Sequence, residues 1–219
     1  MNDVRPARGA AFGQSLVVMA KQPKAGAAKR RLAHGIGDVP AVRFYRTVLG
    51  HTLLRLGSDP RWQTYLAVSP GSALHENCWP GASRIVRISQ EQGDLGARMQ
   101  RLFDAMSPGP VVLVGSDIPA ISRAHIADAF RKLGSADAVL GPARDGGYWL
   151  VGLKRSPRKL APFENVPWST PDALSATRAN LRGCAIATAA TLSDVDTAEA
   201  WHRQRDVAER LCLRAHGPA

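Results

Sequence analysis

The stretch "GPVVLVGSDIPAIS", residues 109–122, sets the architecture. Val111, Val112, Leu113 and Val114 are apolar on successive rather than alternate positions, which suits a strand buried on both faces, as in a parallel sheet covered by helices. The run ends in Gly115, Ser116 and Asp117, so an acidic side chain stands at the strand's carboxyl end. Ser-Asp before Ile-Pro is good turn chemistry. Ser122 then stands as N-cap of a helix over 122–134 that closes on Gly134, read as a C′ glycine. In open α/β sheets ligands bind outside the carboxyl ends of the strands, which makes the Asp117 loop the first place to look for function.

The segments on either side have the same form. "SLVVMA" (15–20) is a second valine-rich run, closed by a Lys/Pro/Gly loop, and reads as a first, central strand. Val42, Phe44, Tyr45, Val48, Leu49, Leu53 and Leu56 recur at helical spacing between arginines and predict a covering helix from about Val39 to Leu56. "WQTYLAV" (62–68) and "SRIVRIS" (83–89) predict strands, and 95–106 a helix. Further on, "ADAVLG" (136–141), "YWLVGL" (148–153) and "CAIATAA" (184–190) predict strands. A helix is expected over 169–182 with Ser169 or Thr170 as N-cap, and a last one over 197–214. Alternating strands and helices place the chain in the α/β class, as a single Rossmann-like three-layer domain with a mostly parallel sheet over residues 15–213. Residues 1–14 read as a flexible N-terminal tail: two arginines, but no apolar stretch long enough for a signal peptide, and no run elsewhere reaches the length of a membrane span.

A chain of 219 residues with 45% hydrophobic residues can bury a sizeable core. Its formal net charge of +11 points to an anionic partner: nucleic acid, acidic lipid headgroups or phosphorylated small molecules. The basic residues are scattered over helices, and no helix-turn-helix, zinc or RNP signature appears, which disfavours nucleic acid. A membrane-surface role is weakened by Glu199, Asp206 and Glu209 on the last expected helix. Cys78, Cys184 and Cys212 are odd in number, far apart and form no CxxC pair, so the natural expectation is a reducing, cytoplasmic setting without zinc or disulfides.

Five loops can carry chemistry. "AKQPKAGAAKRRL" (20–32) sets Lys21, Lys24, Lys29, Arg30 and Arg31 around Gly26, and a cationic glycine turn opening toward a helix can hold a phosphate. It lacks GxxxxGKS/T and is not a P-loop, so a solvated basic loop is the alternative. Asp117 either turns the chain or holds a divalent metal that neutralises phosphates. In "LSDVDTAEAW" (192–201), Asp196 with Glu199 three residues on suits a helix cap, and Asp196 equally suits a second metal ligand; Asp194 can be a turn residue. "SQEQGDLGARM" (89–99) offers Gln90 and Gln92 to a base edge, with Gly93 and Gly96 allowing close approach. In "GPARDGGYWL" (141–150), Gly146 and Gly147 behind Asp145 suit either a β-bulge or a backbone laid against a ligand, with Asp145 acting on the acceptor. Trp168, before the expected helix at 169, can line a pocket.

In order, "KQPKAGAAKRRL", "QGDLGARM", "VGSDIPAI", "VLGPARDGGYWLVGL", "PWST" and "DVDTAEAW" resemble the bacterial proteins assigned by inference as glycosyltransferases and often associated with radical-SAM and selenium-domain proteins. That family is a branch of the nucleotide-diphospho-sugar transferase (GT-A-like) superfamily, and the resemblance runs from about residue 15 to about 201. It implies a fold related to the molybdenum-cofactor and 2-phospholactate guanylyltransferases. It also implies that Lys21 and Lys29 touch phosphates, that the loop of Gln90, Gly93 and Gly96 approaches the nucleobase, and that Asp117, with Asp196 as the possible second, binds Mg²⁺ or Mn²⁺. Asp145, Gly146, Gly147, Tyr148 and Trp168 then face the sugar or acceptor, with Asp145 as the candidate catalytic base. One departure is Arg30, where the family usually has Thr after the second lysine; it removes a hydroxyl and adds a cation.

The expected activity is transfer of a sugar from a nucleotide-sugar donor to an unidentified small-molecule acceptor. The alternative is a guanylyltransferase-like nucleotidyl transfer that joins an NTP to a phosphorylated small molecule and releases pyrophosphate. The same acidic and basic residues serve both. A nucleic-acid-binding protein is the third reading.

Overall fold

Val111–Gly115 forms β4 of a seven-stranded sheet in a computed structural model that describes residues 13–203. The other strands are β1 (Ser15–Lys21), β2 (Gln63–Ser69), β3 (Val86–Ser89), β5 (Ala138–Pro142), β6 (Tyr148–Leu153) and β7 (Ile186–Thr188), in the spatial order β3-β2-β1-β4-β6-β5-β7. β1 pairs in parallel with β2 and β4 at the centre of the sheet. β6 alone runs antiparallel, to both β4 and β5. The linker 143–147 between β5 and β6 explains this: it is long enough for a hairpin and far too short for a parallel crossover.

Side chains alternate along each strand, and the sheet is covered twice. Leu16, Val18, Ala20, Val112 and Val114 pack against helices α2 (Asp38–Gly57) and α4 (Arg123–Leu133). Val17, Val111 and Leu113 face helix α3 (Leu95–Ala105) and the region of α5 (Ala173–Asn180). The result is the three-layer α/β domain expected from the alternation. Burying a leucine such as Leu49 or Leu53 on α2 contributes about 1.5–3 kcal/mol each, and both are fully buried.

Several element ends differ from the sequence expectation. Ser122 caps α4 as expected, its hydroxyl accepting from His125 N at 3.4 Å, but Gly134 sits at φ −60° and is not a left-handed C′ glycine. β3 begins at Val86 rather than 83, because Ile85 N is held in a turn by Ala82 O. α5 begins only at Ala173, with Asp172 rather than Ser169 or Thr170 in the cap position; the Thr170 hydroxyl instead accepts from Asp172 N. A short helix α1 (Arg30–Ile36) was not expected in the cation-rich stretch after Gly26. It packs through Leu32 against Ala41, Phe44 and Val48 of α2 and against Val195, which is fully buried. Most of the expected N-terminal tail and the last helix beyond residue 203 lie outside the described residues. Among the described residues no helix is long and apolar enough to cross a membrane, and Cys78 and Cys184 are free thiols.

Candidate active site

The carboxyl ends of β1 and β4 and the amino end of the antiparallel β6 open into a cleft of about 380 Å³. Because neighbouring strand residues face opposite sides, the cleft has two unlike walls. One belongs to the α2/α4 face and carries Ala28, Lys29, Tyr45, Asp117 and Ile118. The other belongs to the α3 face and carries Leu95, Arg98, Met99, Tyr148 and Trp168.

The first wall is organised around one lysine. Lys29 Nζ donates to Asp117 Oδ2 at 2.6 Å and to Asp196 Oδ1 at 3.2 Å, and only 4% of its side chain is exposed. Lys29 is also the residue that precedes α1, in the left-handed region at φ 55°, where a non-glycine residue carries backbone strain of order 1–3 kcal/mol. Burial opposes its charge, but the nearby Asp117, Asp196 and Asp194 carboxylates outweigh that and hold its pKa above the usual 10.5. The buried Val195 locks the two acidic segments together, its N–H donating to Asp117 O at 3.2 Å. Asp196 is therefore no helix cap: Thr197 takes that place, its hydroxyl accepting from Ala200 N. Asp194 lines the same wall, and burial, followed by the Asp117 charge, pushes its carboxyl up to about 6. Tyr45 fixes the end of β1 by accepting from Lys21 N at 3.0 Å and donating to Lys21 O, with the Ser116 hydroxyl 2.9 Å away. Burial raises its phenol pKa, so it stays neutral.

Asp117 and Asp196 supply hard oxygens converging on one cation, the donor chemistry that Mg²⁺ and Mn²⁺ take. Among the described residues no three His, Cys, Asp or Glu side chains converge as a ready-made metal cage.

At the cleft mouth Asp145 is exposed, its Oδ1 accepts from Gly147 N at 3.0 Å, and its charge reaches Asp194 on the first wall. Gly147, Tyr148 and Trp168 line the cleft with it. Gly146 does not line it, and its missing side chain has a structural use: a Cβ there would lie 2.3 Å from Pro171 O, at φ 86°. The loop 166–172 crosses directly over Gly146, whose carbonyl accepts from Leu174 N. Gly146→Ala should therefore cost at least about 1–3 kcal/mol from backbone strain, with the overlap added. A thermal melt equal to wild type would show that the loop yields freely.

Gly96 has a similar use, since a Cβ there would meet Trp168 Cζ2 at 2.9 Å; the indole lies on the first turn of α3. Gly93 and Gly26 adopt positive φ outside the cleft lining. Gln90 lines the cleft but is 4% exposed, with Nε2 donating to Ala20 O and Ala67 O. Its Oε1 accepts from Arg98 Nη1 at 3.0 Å, so its amide is spent on the sheet and on Arg98. The structure thus gathers Lys21, Lys29, Gln90, Asp117, Asp145, Gly147, Tyr148, Trp168 and Asp196 in one cleft, and leaves Gly26, Gly93, Gly96 and Gly146 to shape loops around it. Arg98, Tyr45 and Ser116 were missed in the sequence. Arg98 had a signal, as the arginine four residues after the cap Asp94 in "QGDLGARM"; a helix-face tyrosine such as Tyr45 has none beyond its apolar spacing.

Residues 52–170, more than half of the chain, match the model of a family described as uncharacterized proteins conserved in bacteria, DUF2064. The chain belongs to this family. The DUF2064 match contains Gln90, Asp117, Asp145 and Trp168, while Lys29 and Asp196 fall on either side of it. A 2-phospho-L-lactate guanylyltransferase from Methanocaldococcus sp. (strain FS406-22) is 28% identical over 67 residues, which is 31% of this chain and only 30% of that relative's length. Among solved structures, a Desulfovibrio desulfuricans G20 protein provisionally assigned as a nucleotide-diphospho-sugar transferase superposes with a TM-score of 0.78. Its identity is 24%, over 92% of this chain and 99% of that one. Glucosyl-3-phosphoglycerate synthase from Mycobacterium tuberculosis, in complex with Mn²⁺, uridine-diphosphate and glucosyl-3-phosphoglycerate, superposes with a TM-score of 0.53. Its identity is 11%, over 94% of this chain and 79% of that one. The DUF2064 chain has the nucleotide-diphospho-sugar transferase-like fold that these structures share.

Proposed function

We propose that this chain is a metal-dependent glycosyltransferase that moves a sugar from a nucleotide-sugar donor to a small-molecule acceptor. The observation that carries the reading is the convergence of Asp117 and Asp196 on one cation at the carboxyl ends of the central strands. Mg²⁺ or Mn²⁺ held by these two carboxylates would supply positive charge to the departing diphosphate. Lys29, released from the carboxylates, and Lys21 at the end of β1 would share that charge, with Gly26 letting their loop close on the phosphates. Gly93 would shape the nucleobase side through the loop ahead of α3, while Gln90, turned into the sheet, and Gly96, under Trp168, would support the wall beside it. Gly147, Tyr148 and Trp168 would form the sugar and acceptor side, with Gly146 seating the loop that carries Trp168.

Asp145 is the proposed catalytic base on the acceptor. It is exposed to the cleft mouth, and one oxygen is anchored by Gly147 N, which leaves the other for a proton. Asp145→Asn keeps an oxygen to accept from Gly147 N and removes only the charge. Turnover should fall about 10²–10⁴-fold, the usual contribution of a general base, with donor affinity within about twofold. Retained turnover would remove Asp145 from the chemistry.

A thermal-shift panel of NTPs, NDPs and nucleotide-sugars, each with and without Mg²⁺ or Mn²⁺, tests the reading as a whole. A matching ligand at 100 times its Kd should add roughly 2.7 kcal/mol of stability. Metal-dependent stabilisation by one nucleotide-sugar supports glycosyl transfer and names its donor. Stabilisation by an NTP instead, with pyrophosphate as product, moves the reading to nucleotidyl transfer onto a phosphorylated small molecule. That second reading is favoured by the stretch similar to a guanylyltransferase.

A further inference from the structure

The transferase reading uses the wall of Lys29 and Asp117 and leaves a second cation in the cleft unexplained. Arg98 projects from the first turn of α3 and lines the cleft, half-buried. Its guanidinium is aimed by two neutral acceptors, Gln90 Oε1 at 3.0 Å and Asp94 O at 3.3 Å. Among the described residues it forms no ion pair. The nearest acid, Asp94, caps α3 by accepting from Ala97 N at 2.7 Å, and Arg101 adds like charge from the next turn. Lys29 across the cleft has two carboxylates in direct contact, whereas Arg98 has none at ion-pair distance and feels only the charge of Asp94 from its own helix cap. A partly desolvated charge with no carboxylate in contact is costly, and a guanidinium held in a fixed orientation is suited to the two oxygens of a phosphate or carboxylate.

Gln90 makes this a built arrangement. Its amide is buried and pinned by the ends of β1 and β2, so its oxygen, and with it the Arg98 fork, is fixed by the sheet itself. Beside Arg98, Trp168 lies on Gly96 and meets Tyr148 edge-on at 6.4 Å between ring centroids, giving an apolar aromatic corner next to the cation.

We propose that Arg98, with the Trp168 and Tyr148 wall, binds the oxyanion of the acceptor, so that the acceptor is a small molecule bearing a phosphate or carboxylate. This rests on the transferase reading in one respect, that the cleft holds two substrates at once. The donor's diphosphate belongs to the side where Lys29 and the acidic pair stand, and the second anion to the opposite side. The aromatic surface would cover the acceptor's carbon skeleton and exclude water from it.

The test uses the full chain and inorganic phosphate as probe, followed by calorimetry and by tryptophan fluorescence, with GDP, CDP and UDP plus Mn²⁺ as donor-side probes. Wild type, Arg98→Met and Arg98→Lys are compared, with melting curves to show that each is folded. Arg98→Met should weaken phosphate binding by at least about tenfold, the loss of a charge-assisted contact. Binding of the nucleoside diphosphate should stay within about twofold, and Arg98→Lys should recover part of the phosphate affinity. Phosphate should bind alongside the nucleotide rather than compete with it. The proposal is overturned if wild type binds no phosphate, if Arg98→Met leaves phosphate affinity unchanged, or if the nucleotide is lost in parallel, which would put Arg98 on the donor. Arg98-dependent phosphate binding in a chain that binds none of the nucleotides supports the oxyanion site and overturns the transferase reading instead.

Discussion

Asp117→Asn should abolish metal-dependent nucleotide binding and lower turnover about 10²–10³-fold, the range seen when one element of electrostatic stabilisation is removed from an active site. The substitution keeps the shape of the side chain and one acceptor oxygen, so β4 and its turn should survive. What is lost is one of the two charges that converge on Lys29 Nζ, and the nearer of them at 2.6 Å against 3.2 Å for Asp196. A second effect separates this variant from a simple ligand deletion. Lys29 remains buried with one carboxylate fewer, and a hydrogen bond to a charged group is worth about 1.5–3 kcal/mol, so the metal-free variant should also melt lower. Asp196→Asn should show both effects more weakly, because Arg31 rather than Lys29 takes its other oxygen, at 3.5 Å on the surface. The measurement is Mn²⁺ binding and melting temperature on the same samples. Unchanged Mn²⁺ affinity in Asp117→Asn would place the metal elsewhere and remove the main support for the proposed mechanism.

The two levels of organisation were unequally legible in the sequence. β1, β2, β4 and the long helix α2 follow from continuous apolar runs and from an apolar stripe, because burial on two faces or one leaves a period that composition cannot hide. The position of Asp117 follows from the same pattern, since a strand's carboxyl end is fixed once the strand is. The short helix α1 is invisible, because its only fully buried side chain is Leu32 and the residues around it are cations and glycines. The site shows the same division. That Lys29 would stand near a metal-binding pair is implied by the resemblance, but the chain segments meet across 88 and 167 positions, and no local pattern says that the ammonium itself fills the space between the two acids. The glycine pair behind Asp145 shows how a motif misleads about detail. Its spacing allows a β-bulge or a backbone pressed against a ligand; the register shift falls earlier, between Gly141 and Pro142, while Gly146 is pressed against Pro171 and Gly147 lines the cleft.

Lys29→Met should tighten Mn²⁺ binding by about tenfold or more while weakening nucleoside diphosphate binding by a similar factor, two changes of opposite sign from one substitution. The first follows from competition. A divalent ion held by Asp117 Oδ2 and Asp196 Oδ1 needs the ammonium that those oxygens now hold to leave, and methionine leaves them free. The second follows from what the released lysine does next, which is to carry its charge to the phosphates that arrive with the metal. Alkaline pH cannot mimic the substitution at ordinary values. A lysine whose folded pKa stands above 10.5 contributes its full stabilisation below 10.5 and loses it only as pH climbs through the folded value. The apparent Mn²⁺ affinity of wild type should accordingly show no gain from deprotonation of Lys29 between pH 7 and 9. Without metal, Lys29→Met should melt lower, because Asp117 and Asp196 lose the cation that screens them from each other and from Asp194. Saturating Mn²⁺ should restore much of that loss. Electron paramagnetic resonance of free Mn²⁺ reads the affinity and calorimetry with a nucleoside diphosphate reads the second arm. If both affinities fall together, Lys29 orders the acidic pair rather than competing for it, and its ion pairs are part of the metal site's construction.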